Sequence, residues 1–180
     1  MALWRNNENV WCNWPSNPNV LVEIIGGSYI SAAPHITYKR LLDALILNNL
    51  AIHAFSYLPS LDHQAQANEA WRAFRKNREL LFSRLNRIPK IIRLGHSLGG
   101  KLHLLAPDSG RNCQGLISIA FNNFAAGDSI PMINKFAPKI GIRTEFSPGP
   151  NETLKIIQDK YFQANNLLIS FKGDKLDQNI

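Results

Sequence analysis

In the stretch Lys90-Ile91-Ile92-Arg93-Leu94-Gly95-His96-Ser97-Leu98-Gly99-Gly100-Lys101-Leu102-His103-Leu104-Leu105 a strand, a sharp turn and a helix follow one another. The first residues are apolar and β-branched, which predicts a buried strand. The last are leucine-rich with no proline until Pro107, which predicts a helix. Between them Gly95-His96-Ser97-Leu98-Gly99 fits G-x-S-x-G, the nucleophile elbow. A strand that turns this tightly into a helix brings the positions two residues either side of the serine against each other, and glycine leaves the room. The serine then stands clear of the sheet's carboxyl edge at a helix N-terminus, where amide groups favour a developing anion. Ser97 is the candidate nucleophile.

Working outward from the elbow, the same alternation recurs. Upstream, Val20-Leu21-Val22-Glu23-Ile24-Ile25 is a nearly all-apolar strand that ends at Gly26-Gly27. Tyr38 to Asn49 carries Leu41, Leu42, Leu45 and Ile46 at helical spacing, Ala51 to Tyr57 reads as a strand, and Leu61 to Asn86 as a long helix. Downstream, Leu116 to Phe121 is a strand, Glu152 to Phe162 a helix, and Leu167 to Phe171 the last strand. Residues 1 to 19, rich in Trp, Asn and Pro, read as an irregular lead-in or a short edge strand. Alternation of this kind predicts an α/β fold with a mostly parallel sheet and helices on both faces, because parallel strands need crossover connections. With 180 residues, of which 45% are hydrophobic and 18% charged, the chain is expected to be one folded domain spanning 1–180. The segment Asn122 to Pro150 departs from the pattern. It is long, dense in Pro and Gly, and follows the carboxyl end of a strand, so 122–150 is expected to be a lid over a ligand site.

The net charge of +7 is local. From Glu69 to Arg93 eight basic residues (Arg72, Arg75, Lys76, Arg78, Arg84, Arg87, Lys90, Arg93) face only Glu69 and Glu79. Trp71, Phe74, Leu81, Leu85 and Ile88 recur at helical spacing on the face expected to be buried, which puts most of the arginines on the solvated face. A docking patch for an anionic membrane or protein surface is the sharper alternative. Nucleic acid is not an expected partner, since no strand interleaves aromatic and basic residues. Cys12 and Cys113 show no metal or disulfide spacing, so no metal site is expected. The N-terminus lacks a signal-peptide core and no apolar run reaches membrane-spanning length; a soluble, reducing compartment such as the cytoplasm is the default expectation.

A serine nucleophile needs a base, a group that orients the base, and amides for the oxyanion. The elbow itself supplies the N–H of Leu98, and the loop Gly26-Gly27-Ser28-Tyr29 offers a second donor at Gly27 or Ser28. That glycine pair lacks the third glycine of G-x-G-x-x-G, so no nucleotide cofactor is expected. Asp174 and Asp177, just beyond the last strand, are placed for the orienting acid. The base is the difficulty: the histidines are His35, His53, His63, His96 and His103, and none follows the acid. His35 and His63 lie near predicted carboxyl-edge loops, while the side chain of His96 is expected to point away from the direction of attack. Phe124, Ile130, Met132 and Phe136 would shape an apolar acyl pocket, with Asn122 and Asn123 touching the substrate.

Five motifs in order resemble a known family: Gly26-Gly27-Ser28-Tyr29-Ile30-Ser31-Ala32-Ala33-Pro34-His35-Ile36-Thr37-Tyr38, Leu61-Asp62-His63, Gly95 through Leu105, Phe121-Asn122-Asn123-Phe124, and Phe171-Lys172-Gly173-Asp174-Lys175-Leu176-Asp177-Gln178. The chain is similar to the family called domain of unknown function thirteen-fifty, found in cyanobacteria and plant plastids and placed in the α/β-hydrolase superfamily. The resemblance spans nearly the whole chain. It implies an α/β-hydrolase fold with Ser97 as nucleophile and Asp177 near the acid position, and it implies no substrate. Members usually continue through a further helix, a strand and a histidine-bearing loop, so the resemblance implies a C-terminally short sheet here: either a fragment, with the catalytic histidine beyond residue 180, or a natural truncation that leaves a scaffold with an unassisted serine. For a plant protein the compartment it implies is the plastid stroma. The expectation is a serine hydrolase acting on an ester or thioester of a small acyl or lipid-like group. The alternative is a non-catalytic hydrolase-fold protein that binds a partner or makes peripheral membrane contact through the basic helix.

Overall fold

The structure, a computed structural model, describes residues 3–126 and 145–174. Among the described residues seven strands form one sheet: β1 (Arg5–Asn7), β2 (Val10–Asn13), β3 (Val20–Ile25), β4 (Ala51–Phe55), β5 (Lys90–His96), β6 (Gly115–Ile119) and β7 (Asn166–Ile169). Their spatial order is β1-β2-β4-β3-β5-β6-β7. From β4 to β7 the strands run parallel, with Ile25 beside Gly95 and His96 beside Ile119. Every residue of β4 is buried, as its apolar run requires of a strand covered on both faces.

Helices α1 (Pro34–Thr37), α2 (Lys39–Leu47), α3 (His63–Leu85), α4 (Leu98–Leu104) and α5 (Pro150–Lys160) make the crossovers. On one face, Leu42 of α2 packs against Val22, Ile24, Ile52 and Ala54. On the other, α3 and α4 set Ala67, Ala70, Phe74, Leu98 and Leu102 against Ile25 and Phe55. Asp62 caps α3 by accepting the Ala65 N–H at 2.8 Å, and Asn86 ends it in the left-handed region.

Two expectations need correction. Residues 5 to 13 are neither irregular nor a single edge strand; β1 and β2 form a hairpin, and β2 pairs antiparallel with β4. Glu8 and Asn9 both take positive φ (48° and 65°), so a two-residue turn of the mirror-image type joins β1 to β2 without splaying them. The basic stretch is also less uniform than its spacing suggests. Arg72, Arg75, Lys76, Arg84, Arg87 and Lys90 are exposed, but Arg78 and Arg93 are buried. Arg78 donates to both oxygens of the fully buried Glu23, at 2.5 and 2.6 Å. Arg93 donates to both oxygens of Asp108, at 2.9 and 2.7 Å, with its Nε 3.9 Å from Glu23. Burial pushes the Asp108 carboxyl up, but the hydrogen bonds and charge of Arg93 reverse this and hold it below its ordinary value. Ile88, expected on the buried face, lies past the end of α3 and is 75% exposed.

Candidate functional site

Chain order sets where the site lies. From β3 the chain steps to β4 on one side, then crosses back through α3 to β5 on the other side of β3. The loops leaving β3 and β5 therefore diverge at one point of the carboxyl edge, which is where open α/β sheets bind ligands. One of these loops is Gly26–Ser28 and the other is the elbow.

At the elbow Ser97 has φ 54° and ψ −122°, a conformation a side chain tolerates only under strain. Its N–H donates to the Ile119 carbonyl on β6 at 2.9 Å, and α4 begins at the next residue. The flanking glycines permit the close approach. A Cβ on Gly99 would overlap the Ile25 carbonyl of β3, and one on Gly95 would overlap the backbone of Gly100. Ser97 Oγ accepts a hydrogen bond from Asn122 Nδ2 at 2.5 Å.

A cavity of about 410 Å³ opens over the serine. Ser28, Leu98, Asn122, Asn123 and Phe124 all line it, so the structure brings these expected site residues together around Ser97. Gly27 lines it too, but its N–H donates to Tyr38 Oη at 2.8 Å. Of the two loop amides considered for the oxyanion, that leaves Ser28. Neither the Ser28 nor the Leu98 N–H has an acceptor among the described residues. Asn123 donates through Nδ2 to the Pro150 carbonyl at 2.9 Å, which ties the two ends of segment 122–150 together. Asp177, Ile130, Met132 and Phe136 lie outside the described residues. Asp174 follows β7 at the same edge, close enough that its charge opposes the burial that lowers the His96 pKa.

Two of the five histidines line the cavity. Tyr38 Oη is 2.9 Å from His96 Nδ1. The same oxygen accepts the Gly27 N–H, and which partner of the Tyr38–His96 contact donates follows the imidazole tautomer. His63, the first residue of α3, stacks on Phe146 with ring centroids 4.2 Å apart. Its Nδ1 is buried with no hydrogen-bond partner among the described residues. Burial, with the charge of Lys101 in support and Asp62 opposing, pulls its pKa down to about 3. Away from the cavity, His35 stacks on Trp11, His53 accepts from Trp14 Nε1, and His103 is buried beside Phe74.

Lys101, not among the expected site residues, also lines the cavity while 1% exposed. Its Nζ donates to the Pro148 carbonyl at 3.1 Å and sits 5.8 Å from the Phe146 ring centroid. Burial brings its pKa down to about 8 against the opposing charges of Glu145 and Glu152. Four residues after Ser97 on a predicted helix is the same helical face, and that spacing is the signal that points to it.

Among the described residues no group of three His, Cys, Asp or Glu side chains is arranged to hold a metal ion, and no helix is long and apolar enough to cross a membrane. Cys12 and Cys113 are buried free thiols, and burial pushes the Cys12 pKa up to about 12.

Solved structures similar to this one are α/β-hydrolases, esterases and lipases among them. The Francisella virulence factor BioJ is 17% identical with a TM-score of 0.59, over 94% of this chain and 64% of its own. The mature Bacillus licheniformis lipase BlEst2 is 12% identical with a TM-score of 0.60, over 92% of this chain and 72% of its own. FphF, a fluorophosphonate-binding serine hydrolase of Staphylococcus aureus solved with substrate bound, is 14% identical with a TM-score of 0.59, over 94% of this chain and 78% of its own. The chain thus spans less than two thirds, 64%, of the length of the Francisella protein. At these identities the likeness shows the α/β-hydrolase fold. No curated protein sequence matches the chain. The sequence profile of the family described as Protein of unknown function (DUF1350) matches residues 3–180, and the chain belongs to that family.

Proposed function

We propose that the protein is a serine hydrolase that cleaves esters or thioesters of small acyl groups, with Ser97 as the nucleophile. The observation that carries this reading is the strained Ser97 backbone at the elbow, opening on a cavity where two amides, of Leu98 and Ser28, have no acceptor among the described residues. Ser97 Oγ forms a bond to the acyl carbon while its proton passes to a base. The carbonyl oxygen takes up the negative charge between the two amides. Collapse expels the alcohol or thiol, and water then releases the acid by the same route. Asn122 donates to Ser97 Oγ, so the serine's own proton stays free to point at the base. The base in this reading is a histidine carried beyond residue 180 and oriented by Asp177. That Asp174 lies within electrostatic reach of His96 supports this reading.

A lid role for segment 122–150, of which residues 127–144 lie outside the described residues, is supported by Phe124 and Phe146, one from each end, in the cavity wall. The test is hydrolysis of p-nitrophenyl butyrate by the full natural chain. Ser97→Ala is expected to lower kcat by about 10³-fold or more. A Ser97→Ala variant that keeps the wild-type rate would contradict the proposal.

A further inference from the structure

We propose that Lys101 and His63 form an anion subsite in the wall of the Ser97 cavity, and that the substrate is an ester whose acyl chain carries a carboxylate. This names the substrate class of the hydrolase reading and rests on it.

Three observations support it. First, Lys101 is an ammonium taken out of water without a counter-ion among the described residues. No carboxylate among the described residues forms an ion pair with it, and its only acceptor among them is the Pro148 carbonyl. Of the two carboxylates whose charge it senses, Glu145 accepts the Ala126 and Phe146 N–H groups through Oε1, and Glu152 is exposed. A buried charge left this way is costly unless something in the site answers it. Second, His63 is 2% exposed and its Nδ1 has no partner among the described residues. The imidazole and the ammonium both lie against the ring of Phe146, and both line the cavity. A neutral imidazole protonated on Nδ1 donates to one carboxylate oxygen while the ammonium donates to the other. Third, the remaining wall includes Ile30, Leu61, Leu98 and Phe124, which suit a short run of methylenes.

Lys101 lies one helical turn beyond Ser97. A rise of about 6 Å over four residues sets the spacing between the scissile carbonyl and the carboxylate at a few bonds. A half-ester of a short dicarboxylic acid has that form.

Monomethyl glutarate and dimethyl glutarate differ only in the charge at one end. In the full natural chain carrying Ser97→Ala, calorimetry is expected to find the half-ester bound about tenfold or more tighter than the diester. Adding Lys101→Met is expected to bring that ratio to about one, and Arg72→Gln, on the exposed face of α3, to leave it unchanged. If Lys101→Met does not fold, Lys101→Gln serves the same comparison. Equal binding of the two esters, or a preference that survives loss of the ammonium, would overturn the subsite. Because the readout is binding, a chain that prefers the half-ester yet hydrolyses neither ester supports the subsite while sinking the hydrolase reading. Hydrolysis of both esters at equal kcat/KM, with no difference in binding, sinks the subsite alone.

Discussion

Around Glu23 the buried charges answer one another. Arg78 grips both carboxylate oxygens, and Arg93 bridges toward Glu23 while gripping Asp108. Around Lys101 the ammonium is as deeply buried but among the described residues meets only a backbone carbonyl and an aromatic ring. The two regions share α4's face of the sheet, so the difference is one of use. Paired charges inside a fold need nothing further and hold β3, β5 and α3 in register. A lone charge beside a cavity costs stability in the empty protein, and that cost is recovered when an anion binds. His63, which lines the same cavity, likewise keeps Nδ1 buried with no partner among the described residues.

If the contrast is right, removing charge acts in opposite directions at the two places. The largest effect is expected at Glu23. Glu23→Leu leaves the Arg78 guanidinium buried without its carboxylate and is expected to cost about 3–5 kcal/mol in denaturant unfolding. A loss under about 1 kcal/mol would remove the claim that the cluster depends on pairing.

Next comes Lys101→Met, which is expected to stabilise the fold by about 1–3 kcal/mol at neutral pH, since it removes an unanswered ammonium and keeps the volume. The pH dependence sharpens this. The pKa of Lys101 falls to about 8 in the folded protein from an ordinary 10.5. Between those values the unfolded chain binds the extra proton, so wild-type stability rises with pH across that window relative to Lys101→Met. The difference between the two proteins should shrink by up to about 3 kcal/mol from pH 8 to pH 10.5. A Lys101→Met protein less stable than wild type at pH 7 would mean the ammonium is already satisfied.

Asp108 gives a smaller effect at the acid end. Its folded pKa lies below the ordinary 3.8, so its contribution is present above that value and lost as pH falls through the folded pKa. The acid limb of a stability curve is expected to be shallower in Asp108→Asn than in wild type, and identical limbs would count against the Arg93 pairing. Smallest of all should be the exposed pair Lys39 and Asp43 on α2, where Lys39→Ala is expected to change stability by less than about 1 kcal/mol.

The elbow and the central strands are legible in the sequence because what specifies them is local. Gly95 and Gly99 flank Ser97 within one turn, and Val20–Ile25 is a single apolar run. The first hairpin is not legible in this way. Arg5-Asn6-Asn7 has little strand propensity, and the Glu8-Asn9 turn lacks the glycine that marks most such turns. The buried cluster escapes for another reason. Glu23 and Arg78 are 55 residues apart, and a helix of mostly exposed arginines gives no hint that one of them reaches into the sheet. At the site, the glycine loop and the run Asn122 to Phe124 were readable as cavity lining. The occupation of the Gly27 amide was not, because it depends on Tyr38 folding back from the start of α2. Lys101 looks like one polar residue in a leucine-rich helix until the turn after Ser97 places it on the cavity side.

The decisive experiment is covalent capture. The full natural chain, treated with a fluorophosphonate probe and digested, should carry the adduct on the peptide containing Ser97, and Ser97→Ala should carry none. Labelling that persists in Ser97→Ala, or a wild-type chain that takes up no probe under conditions where it is folded, would contradict a nucleophilic serine at the elbow.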